Sequence, residues 1–454
     1  MAEPAQAPIR IEVPDSVRPL LERLWASGHA AYVVGGSVRD ALLHRAAADW
    51  DLATDARPDR VLGLFPGAVY ENQFGTVAVR EGSATHEITT FRTDHEYADF
   101  RRPHRVEFGS SIELDLARRD FTVNAMAWGA DAGGGDATLV DPYGGAADVR
   151  ARVLRAVGDP ATRFNEDALR IVRAIRLATT LDFEIEPGTL AALEANAGLV
   201  AHLSGERIAV ELLKLLRARS PSRGLRLLMD TGVLEVISPE LASQRGVAQN
   251  KIAGEDLWDH TVRTVDAADA GRPGLRLAAL LHDLGKPATI DEGPFRGHEA
   301  VGADHARALL DRLHLPRVLA DRVVDLVRNH MFTYEPTWGD AGIRRFIQRV
   351  GRDELDDLFA LRAADNVGSG LPAGAGRLDE LRARVAEQIA ARYALDLRHL
   401  AVNGDDLMAE LELPAGPTLG RILDRLLERV VADPALNDRA TLLGIAASML
   451  ADEA

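Results

Sequence analysis

Residues 33–54 read VVGGSVRDALLHRAAADWDLAT. The apolar run AAYVV at 30–34 reads as a buried strand, Gly35 and Gly36 turn the chain, and SVRDALLHRA has the spacing of a helix. Ser37 and Asp40 stand at that helix start in a capping-box-like arrangement. In the following DWDLA, a strand would point Asp49 and Asp51 to one face and Trp50 to the other. A glycine pair alone merely turns a chain, and an isolated pair of aspartates is commonly a solvated edge. Together they set bare amides and a helix N-terminus beside two carboxylates that repel unless cations lie between them. Glu87, in the alternating THEITTFR at 85–92, adds a third carboxylate. Three such groups can hold two Mg²⁺ ions around a nucleoside triphosphate, which is phosphoryl-transfer chemistry. No GxxxxGK[ST] occurs, so the phosphate site is not a P-loop.

A chain of 454 residues exceeds one compact core. Residues 18–155 mix strand and helix patterns with glycine turns, which predicts an α+β head built on a mixed sheet. The rest reads as helical: a neck and body at 156–250, a histidine-rich domain at 251–370, and a tail at 371–454 following the turn GSGLPAGAGR at 368–377. There is no repeat of fixed period. No run of eighteen apolar residues occurs, and the opening MAEPAQAPIRIEVPD lacks the basic-then-apolar pattern of a secretory leader, so the expected location is cytoplasmic, with no membrane. The absence of cysteine excludes disulfides, thiolate zinc sites and thiol nucleophiles; any metal must use His, Asp or Glu. A net charge of −16 means that a nucleic-acid partner needs a local basic stripe.

Two further stretches carry recognition chemistry. RRDFTVNAMAW at 118–128 puts Arg119, Asp120 and Asn124 near one helical face. NEDALRIVRAIR at 165–176 pairs Glu166 with Arg170 at i,i+4 and Asp167 with Arg170 at i,i+3, with Arg173 one turn on. A salt-bridged surface helix accounts for the second pattern equally well. Yet an aspartate accepts from an exocyclic amino group while an arginine donates to the neighbouring ring acceptor. Cytosine and adenine offer that combination. Guanine and uracil do not, at about 1–3 kcal/mol for each group left unsatisfied.

The spacing of GGSVRDALLHRAAADWDLAT, with RRDFTVNAM and EDALR, resembles the class II polymerase-β-like nucleotidyltransferases. That branch comprises CCA-adding tRNA nucleotidyltransferases and bacterial poly(A) polymerases. The likeness spans roughly residues 30–220, including RTDHEYADFRRPHRVEFG at 92–109, similar to the family's mobile loop, and DPYGGAADVRARVLRAVGDP at 141–160, similar to its hinge, with Asp141 and Gly144. It implies metal-binding roles for Asp49, Asp51 and Glu87, and triphosphate contacts for Gly35, Gly36 and Arg39. It also implies ribose contacts for Arg119, Asp120 and Asn124, and base reading of CTP and ATP by Asp167 and Arg170, flanked by Arg173.

Histidines concentrate between 251 and 330: His260, the adjacent His282–Asp283, His298 and His330, with Asp365 further on. Imidazole with carboxylate suits Mn, Fe, Ni, Co or Zn better than Ca. The set resembles the HD phosphohydrolase superfamily. The resemblance implies one metal on His260, His282, Asp283 and Asp365, a second completed by His298 and His330, and hydrolysis of a phosphoester such as a cyclic phosphate.

RIAVELLKLLRARSPSRGLR at 207–226 gathers Arg207, Lys214, Arg217, Arg219, Arg223 and Arg226, either a solvated face or the basic stripe that RNA requires. Gly416 and Gly420 are candidate phosphate-binding amides in the tail. The expected activity is template-independent addition of C, C and A to tRNA 3′ ends from CTP and ATP, with Mg²⁺ and release of pyrophosphate. Addition of A alone or of poly(A) uses the same motifs. From other classes come an HD-domain hydrolase acting on cyclic nucleotides or RNA ends, and a silent tRNA-binding module, which the intact carboxylates argue against. The oligomeric state is open.

Overall fold

The computed structural model describes residues 10–47, 49–72, 75–97, 103–109, 111–249, 251–292, 295–391 and 396–453. The chain divides into two compact units, residues 1–242 and 243–454. Among the described residues no helix is long and apolar enough to cross a membrane.

The first unit begins with helix α1 (Arg18–Ala26) and strand β1 (Ala31–Val34), followed by α2 (Gly36–Leu42), β2 (Asp51–Thr54), α3 (Pro58–Leu64), β3 (Val69–Asn72), β4 (Thr76–Glu81), β5 (Ala84–Thr90), β6 (Arg92–Tyr97) and β7 (Pro103–Phe108). Then come α4 (Ile112–Ala117), β8 (Ala127–Ala130), β9 (Thr138–Val140), α5 (Gly145–Ala151), β10 (Val153–Leu154), α6 (Pro160–Glu166), α7 (Leu169–Leu181), β11 (Glu184–Ile185), α8 (Pro187–Ala195), α9 (Gly205–Leu216), α10 (Pro221–Asp230), α11 (Val233–Ile237) and α12 (Pro239–Ala242).

Seven strands form a mixed sheet in the order β3-β4-β5-β2-β1-β8-β9. Every neighbouring pair is antiparallel except β2 and β5, which run parallel with Leu52 opposite Ile88. β1 is buried at all four positions, which its unbroken apolar sequence requires of a strand covered on both faces. Tyr32 and Val34 pack with Ala53, Phe91, Leu116 and Ala127 on one side of it. Gly129 of β8 lies so close that a Cβ there would fall 2.2 Å from the Ala31 carbonyl oxygen. β6 and β7 form a separate antiparallel hairpin within the 92–109 segment; residues 98–102 of that segment lie outside the described residues.

From α5 onward the unit is helical apart from the short parallel pair β10–β11. Asp141 accepts the Gly145 and Ala146 amides at 2.6 and 2.9 Å, so the hinge aspartate fixes the start of α5. α9 buries Ile208, Leu212, Leu215 and Leu216 along one stripe, each Leu or Ile contributing on the order of 2 kcal/mol.

The second unit is built of helices, with one isolated β-bridge between Ala248 and Asp256 before them: α13 (Leu257–Ala267), α14 (Pro273–Leu281), α15 (His298–Arg312), α16 (Arg317–Asn329), α17 (Asp340–Val350), α18 (Leu355–Gly368), α19 (Leu378–Ala390), α20 (Gly404–Leu411), α21 (Pro417–Ala432) and α22 (Arg439–Glu453). Asp256 and Asp259 close a capping box that starts α13. GSGLPAGAGR is the turn between α18 and α19. The tail has its own core of Val402, Leu407, Ile422, Leu426, Val430 and Leu442.

Candidate functional site

The acidic cluster grows from the one parallel pairing of the sheet. Asp51 opens β2, and the register that sets Leu52 beside Ile88 puts Asp51 level with Glu87 on the same face. Both side chains are exposed. Desolvation at the strand end raises Asp51, with Asp49 adding to it and Arg119 opposing. Desolvation likewise raises Glu87, followed by repulsion from Asp51, Glu71 and Asp49. Asp49 is not part of the strand as its alternation with Asp51 suggested. β2 begins only at Asp51, which pairs with Val34, the last residue of β1 before the chain turns at Gly35. Among the described residues, the groups of three His or acidic side chains with ligand atoms within 4.8 Å of one another both belong to the second unit; the head carboxylates stand wider.

Gly35 has φ +77°, so its conformation favours a glycine, and the Arg119 guanidinium lies against it, 2.8 Å from where a Cβ would stand. α2 starts without a side-chain cap. Ser37 instead donates to the Val34 carbonyl at 3.2 Å, and Asp40 pairs with Arg39 at 2.8 Å, so the anticipated capping box does not form.

RRDFTVNAM follows the end of α4 and holds a single 3-10 turn at Thr122–Asn124, not a continuing helix. Its polar groups form a chain. Arg39 donates to the Asn124 side-chain oxygen at 2.5 Å, and the Asn124 amide donates to Asp120 at 3.2 Å. Asp120 in turn accepts Nε and Nη2 of Arg173 at 3.0 and 2.6 Å. Burial opposes charge on Asp120, yet Arg173 holds its carboxyl down to about 2. Buried Asp115 accepts Arg118 at 2.7 Å and Arg119 at 3.1 Å. Buried Glu211 of α9 accepts Arg176 at 2.5 Å and lies 3.9 Å from Arg173. The sequence reading missed both anchors. Asp115 was signalled by its i,i+3 and i,i+4 spacing to the two arginines; Glu211 sits one turn after Arg207.

The EDALR segment is not one helix. α6 ends at Glu166, Asp167 has an extended backbone, and α7 begins at Leu169. Glu166 pairs with Arg170 at 2.6 Å, as its i,i+4 spacing predicts. Arg170 also donates to the carbonyls of Arg163 and Arg118, at 3.1 and 2.8 Å. Asp167 does not pair with Arg170. It accepts Nη2 of Arg207 on both oxygens, at 3.1 and 2.9 Å, and the Leu169 amide at 3.0 Å.

The basic stripe is therefore not uniform. Arg207 is turned onto Asp167, and Arg223 pairs with Asp182 and Glu184 at 2.9 and 2.7 Å. Lys214, Arg217, Arg219 and Arg226 are exposed. In the tail, the Gly420 amide donates to the Gly416 carbonyl at 3.5 Å within the first turn of α21, so it is engaged in the helix rather than presented to a phosphate.

In the second unit His260 comes from α13, His282–Asp283 from the end of α14, His298 from the start of α15, His330 from the end of α16 and Asp365 from α18. All are buried. Asp283 Oδ2 lies 3.3 and 3.1 Å from Nε2 of His260 and His282, and its Oδ1 lies 3.3 and 3.6 Å from Nε2 of His298 and His330. Asp365 Oδ1 is 3.3 Å from His260 Nε2. Nδ1 of His282, His298 and His330 each lies 2.6–2.8 Å from a backbone carbonyl. A carbonyl only accepts, so each Nδ1 carries the proton and each Nε2 is left with a bare lone pair. The Nε2 atoms converge in pairs: His260 and His282 Nε2 are 3.1 Å apart, His298 and His330 Nε2 3.3 Å apart. Burial lowers His282 to about 4, which keeps it neutral at pH 7. Two donor groups, His260–His282–Asp283 and Asp283–His298–His330, have ligand atoms close enough to hold divalent metal. Two lysines also reach them. Lys286 donates to Asp283 at 2.6 Å, and Lys251 Nζ lies 3.1 Å from His260 and 3.3 Å from Asp365. Neither was anticipated, since a lone lysine carries no spacing signal.

Residues 31–155 match the poly A polymerase head domain, 182–245 the probable RNA and SrmB-binding site of polymerase A, and 257–369 the HD domain. The CCA-adding enzyme of Streptococcus thermophilus (strain CNRZ 1066) is 34% identical over 433 residues, covering 95% of this chain and 96% of the relative. That of Geobacillus stearothermophilus is 34% identical over 428 residues, covering 92% and 93%. The crystal structure of the Bacillus stearothermophilus CCA-adding enzyme in complex with CTP superposes with a TM-score of 0.71 at 29% identity, covering 96% of this chain and 98% of that one. The chain belongs to the CCA-adding enzyme family.

Proposed function

We propose that the first unit adds C, C and A to the 3′ end of tRNA from CTP and ATP, releasing pyrophosphate. The observation that carries the reading is the acidic trio at the β2–β5 junction beside the Gly35 turn and the Arg39–Asn124–Asp120–Arg173 chain. Asp49 and Asp51, assisted by Glu87, would hold Mg²⁺. Carboxylates raised by desolvation and mutual repulsion suit a divalent cation. When bound, it would neutralise the triphosphate and lower the cost of ionising the attacking 3′ hydroxyl.

The remaining steps fall to the protein's own groups. Gly35 and Gly36 let the backbone approach the phosphates, and Arg39 lies beside them. Arg119, Asp120 and Asn124 hold the ribose. Asp167 accepts from the exocyclic amino group of the base and Arg170 donates to the adjacent ring acceptor, so C and A are taken and U and G refused. Lys214, Arg217 and Arg219 offer exposed charge to the tRNA backbone. The second unit's histidines would hold a divalent transition metal. The domains follow as head 18–155, neck and body 156–250, HD domain 251–370 and tail 371–454. The tRNA substrate argues for a cytoplasmic location.

The test is incubation with Mg²⁺ and a tRNA lacking its 3′ CCA, supplying CTP and ATP separately and together, with sequencing of the products. Ordered CCA addition is expected, and Asp51→Ala should abolish incorporation of both nucleotides. Normal CTP transfer by that variant would remove the assignment.

A further inference from the structure

The turn into α17 and the helix itself read TYEPTWGDAGIRRFIQRV, residues 333–350. Half-buried Trp338 closes the turn, and Arg345 and Arg349 follow on the helix one turn apart, about 6 Å along its axis. With Gly342 and Phe346 they line a cavity of about 530 Å³. Rings build one wall of it. Trp338 packs T-shaped against buried Tyr334 with centroids 5.7 Å apart, and lies 6.2 Å from Phe346, over which the Arg349 guanidinium sits at 5.5 Å. Arg384 donates to the Trp338 carbonyl at 2.6 Å and Tyr334 donates to Glu380 at 2.8 Å, so α19 holds the aromatic turn in place.

The charge on this face is uncompensated. Like charges at i,i+4 repel, and a chain with a net charge of −16 has acids to spare for neutralising them. Other arginines of the unit find one: Arg307 meets Asp321 at 2.6 Å, Arg328 meets Asp304 at 3.2 Å and Arg439 meets Asp406 at 2.8 Å. Arg345 and Arg349 are exposed and meet no carboxylate among the described residues. Asp340, in the first turn of the same helix, is taken by Arg384 at 3.0 Å. An aromatic platform with two free guanidiniums beside it supplies what a nucleotide within a strand needs, a ring to stack its base and cations for its phosphates. We infer that this face of α17 is an RNA-binding site, taking an unstacked nucleotide of tRNA with its base on Trp338 and its flanking phosphates on Arg345 and Arg349. The inference rests on the tRNA substrate proposed above, and it adds a contact on the second unit to the cations Lys214, Arg217 and Arg219 of the first.

The experiment measures binding of a tRNA lacking CCA to the full chain, without CTP or ATP, by fluorescence anisotropy over a salt series. The proteins are the native chain, Arg345→Ala/Arg349→Ala, Trp338→Ala and Trp338→Phe, with thermal unfolding alongside. At about 0.1 M salt the double variant should bind about tenfold more weakly, and its slope of log affinity against log salt should fall by about one for each arginine removed. Trp338→Ala should weaken binding about tenfold without moving the slope, and Trp338→Phe should keep most of the affinity. With saturating tRNA, kcat for CTP transfer should stay unchanged in all of them. Native affinity and slope in the double variant would overturn the inference. So would an equal loss of CTP affinity in that variant, which would give the face to free nucleotides instead. If Trp338→Ala fails to fold, the arginine pair, exposed and without a carboxylate partner, still decides. A native chain that binds no tRNA at any salt would remove the substrate reading itself, an outcome distinct from a tRNA-binding chain whose double variant is unmoved.

Discussion

Asp120 accepts two hydrogen bonds from the Arg173 guanidinium, at 3.0 and 2.6 Å, while its other oxygen takes the Phe121 amide at 2.8 Å and the Asn124 side chain at 3.2 Å. One carboxylate therefore ties α7 of the neck to the turn after α4 and, through Asn124, to Arg39. Asp120→Ala leaves a half-buried guanidinium without its main partner. Urea unfolding should show a loss of about 2–3 kcal/mol. Michaelis constants for CTP and ATP should rise together, because the arm they share is loosened while the base-reading pair is untouched.

The same carboxylate sets an acid limit. Its value in the folded protein, about 2, lies below its ordinary value of 3.8. The folded state thus holds the charged form more firmly than the unfolded chain does. The resulting stability is present above about pH 4 and is lost as pH falls through the folded value near 2. The shift corresponds to about 2 kcal/mol. A pH series of urea midpoints from 6 to 2.5 should fall more steeply in the native protein than in Asp120→Asn, which has no such proton to take up.

Asp51 is raised, so the sign is opposite: at neutral pH its charge costs the folded head stability, with Asp49 adding to the repulsion. In chelator, Asp51→Asn should therefore melt at a higher temperature than the native chain. Adding Mg²⁺ should raise the native melting temperature and leave that of the variant nearly unmoved. Equal Mg²⁺ shifts in both would argue that the cation binds elsewhere.

Asp283 turns one oxygen toward His260 and His282 and the other toward His298 and His330. After loading with Mn²⁺ and removal of excess metal, elemental analysis should find two ions per native chain, about one in His298→Ala, and almost none in Asp283→Ala. A single ion lost on removing Asp283 would mean that the two histidine pairs act independently.

The acidic motif was legible from residue type, a local property, and HEI announces its face within a few positions, whereas the alternation of DWD placed Asp49 on a strand that begins only at Asp51. The helical character from α6 onward and the histidine cluster were legible for the same reason, the first from periodicity and the second from ligand chemistry. What escaped depends on partners distant in sequence. Arg207 looked like one more cation in a basic run because the aspartate that holds it lies forty residues earlier. The break at Asp167 was hidden because EDALRIVRAIR has helical spacing throughout, whereas the chain uses the gap between two helices to turn one carboxylate outward. Asp49 fell outside β2, which begins at Asp51, because strand ends depend on pairing that is not written in a single segment.

The parallel union of β2 with β5 carries a consequence for how the head is assembled. Strands that run the same way cannot be joined by a hairpin, so α3, β3 and β4 must be threaded before Glu87 can come level with Asp51. An unfinished chain on the ribosome owns two of the three acids and nothing to complete them. On the metal role proposed for the trio, tight magnesium capture would be a certificate of completed threading, issued to molecules whose central crossover is in place.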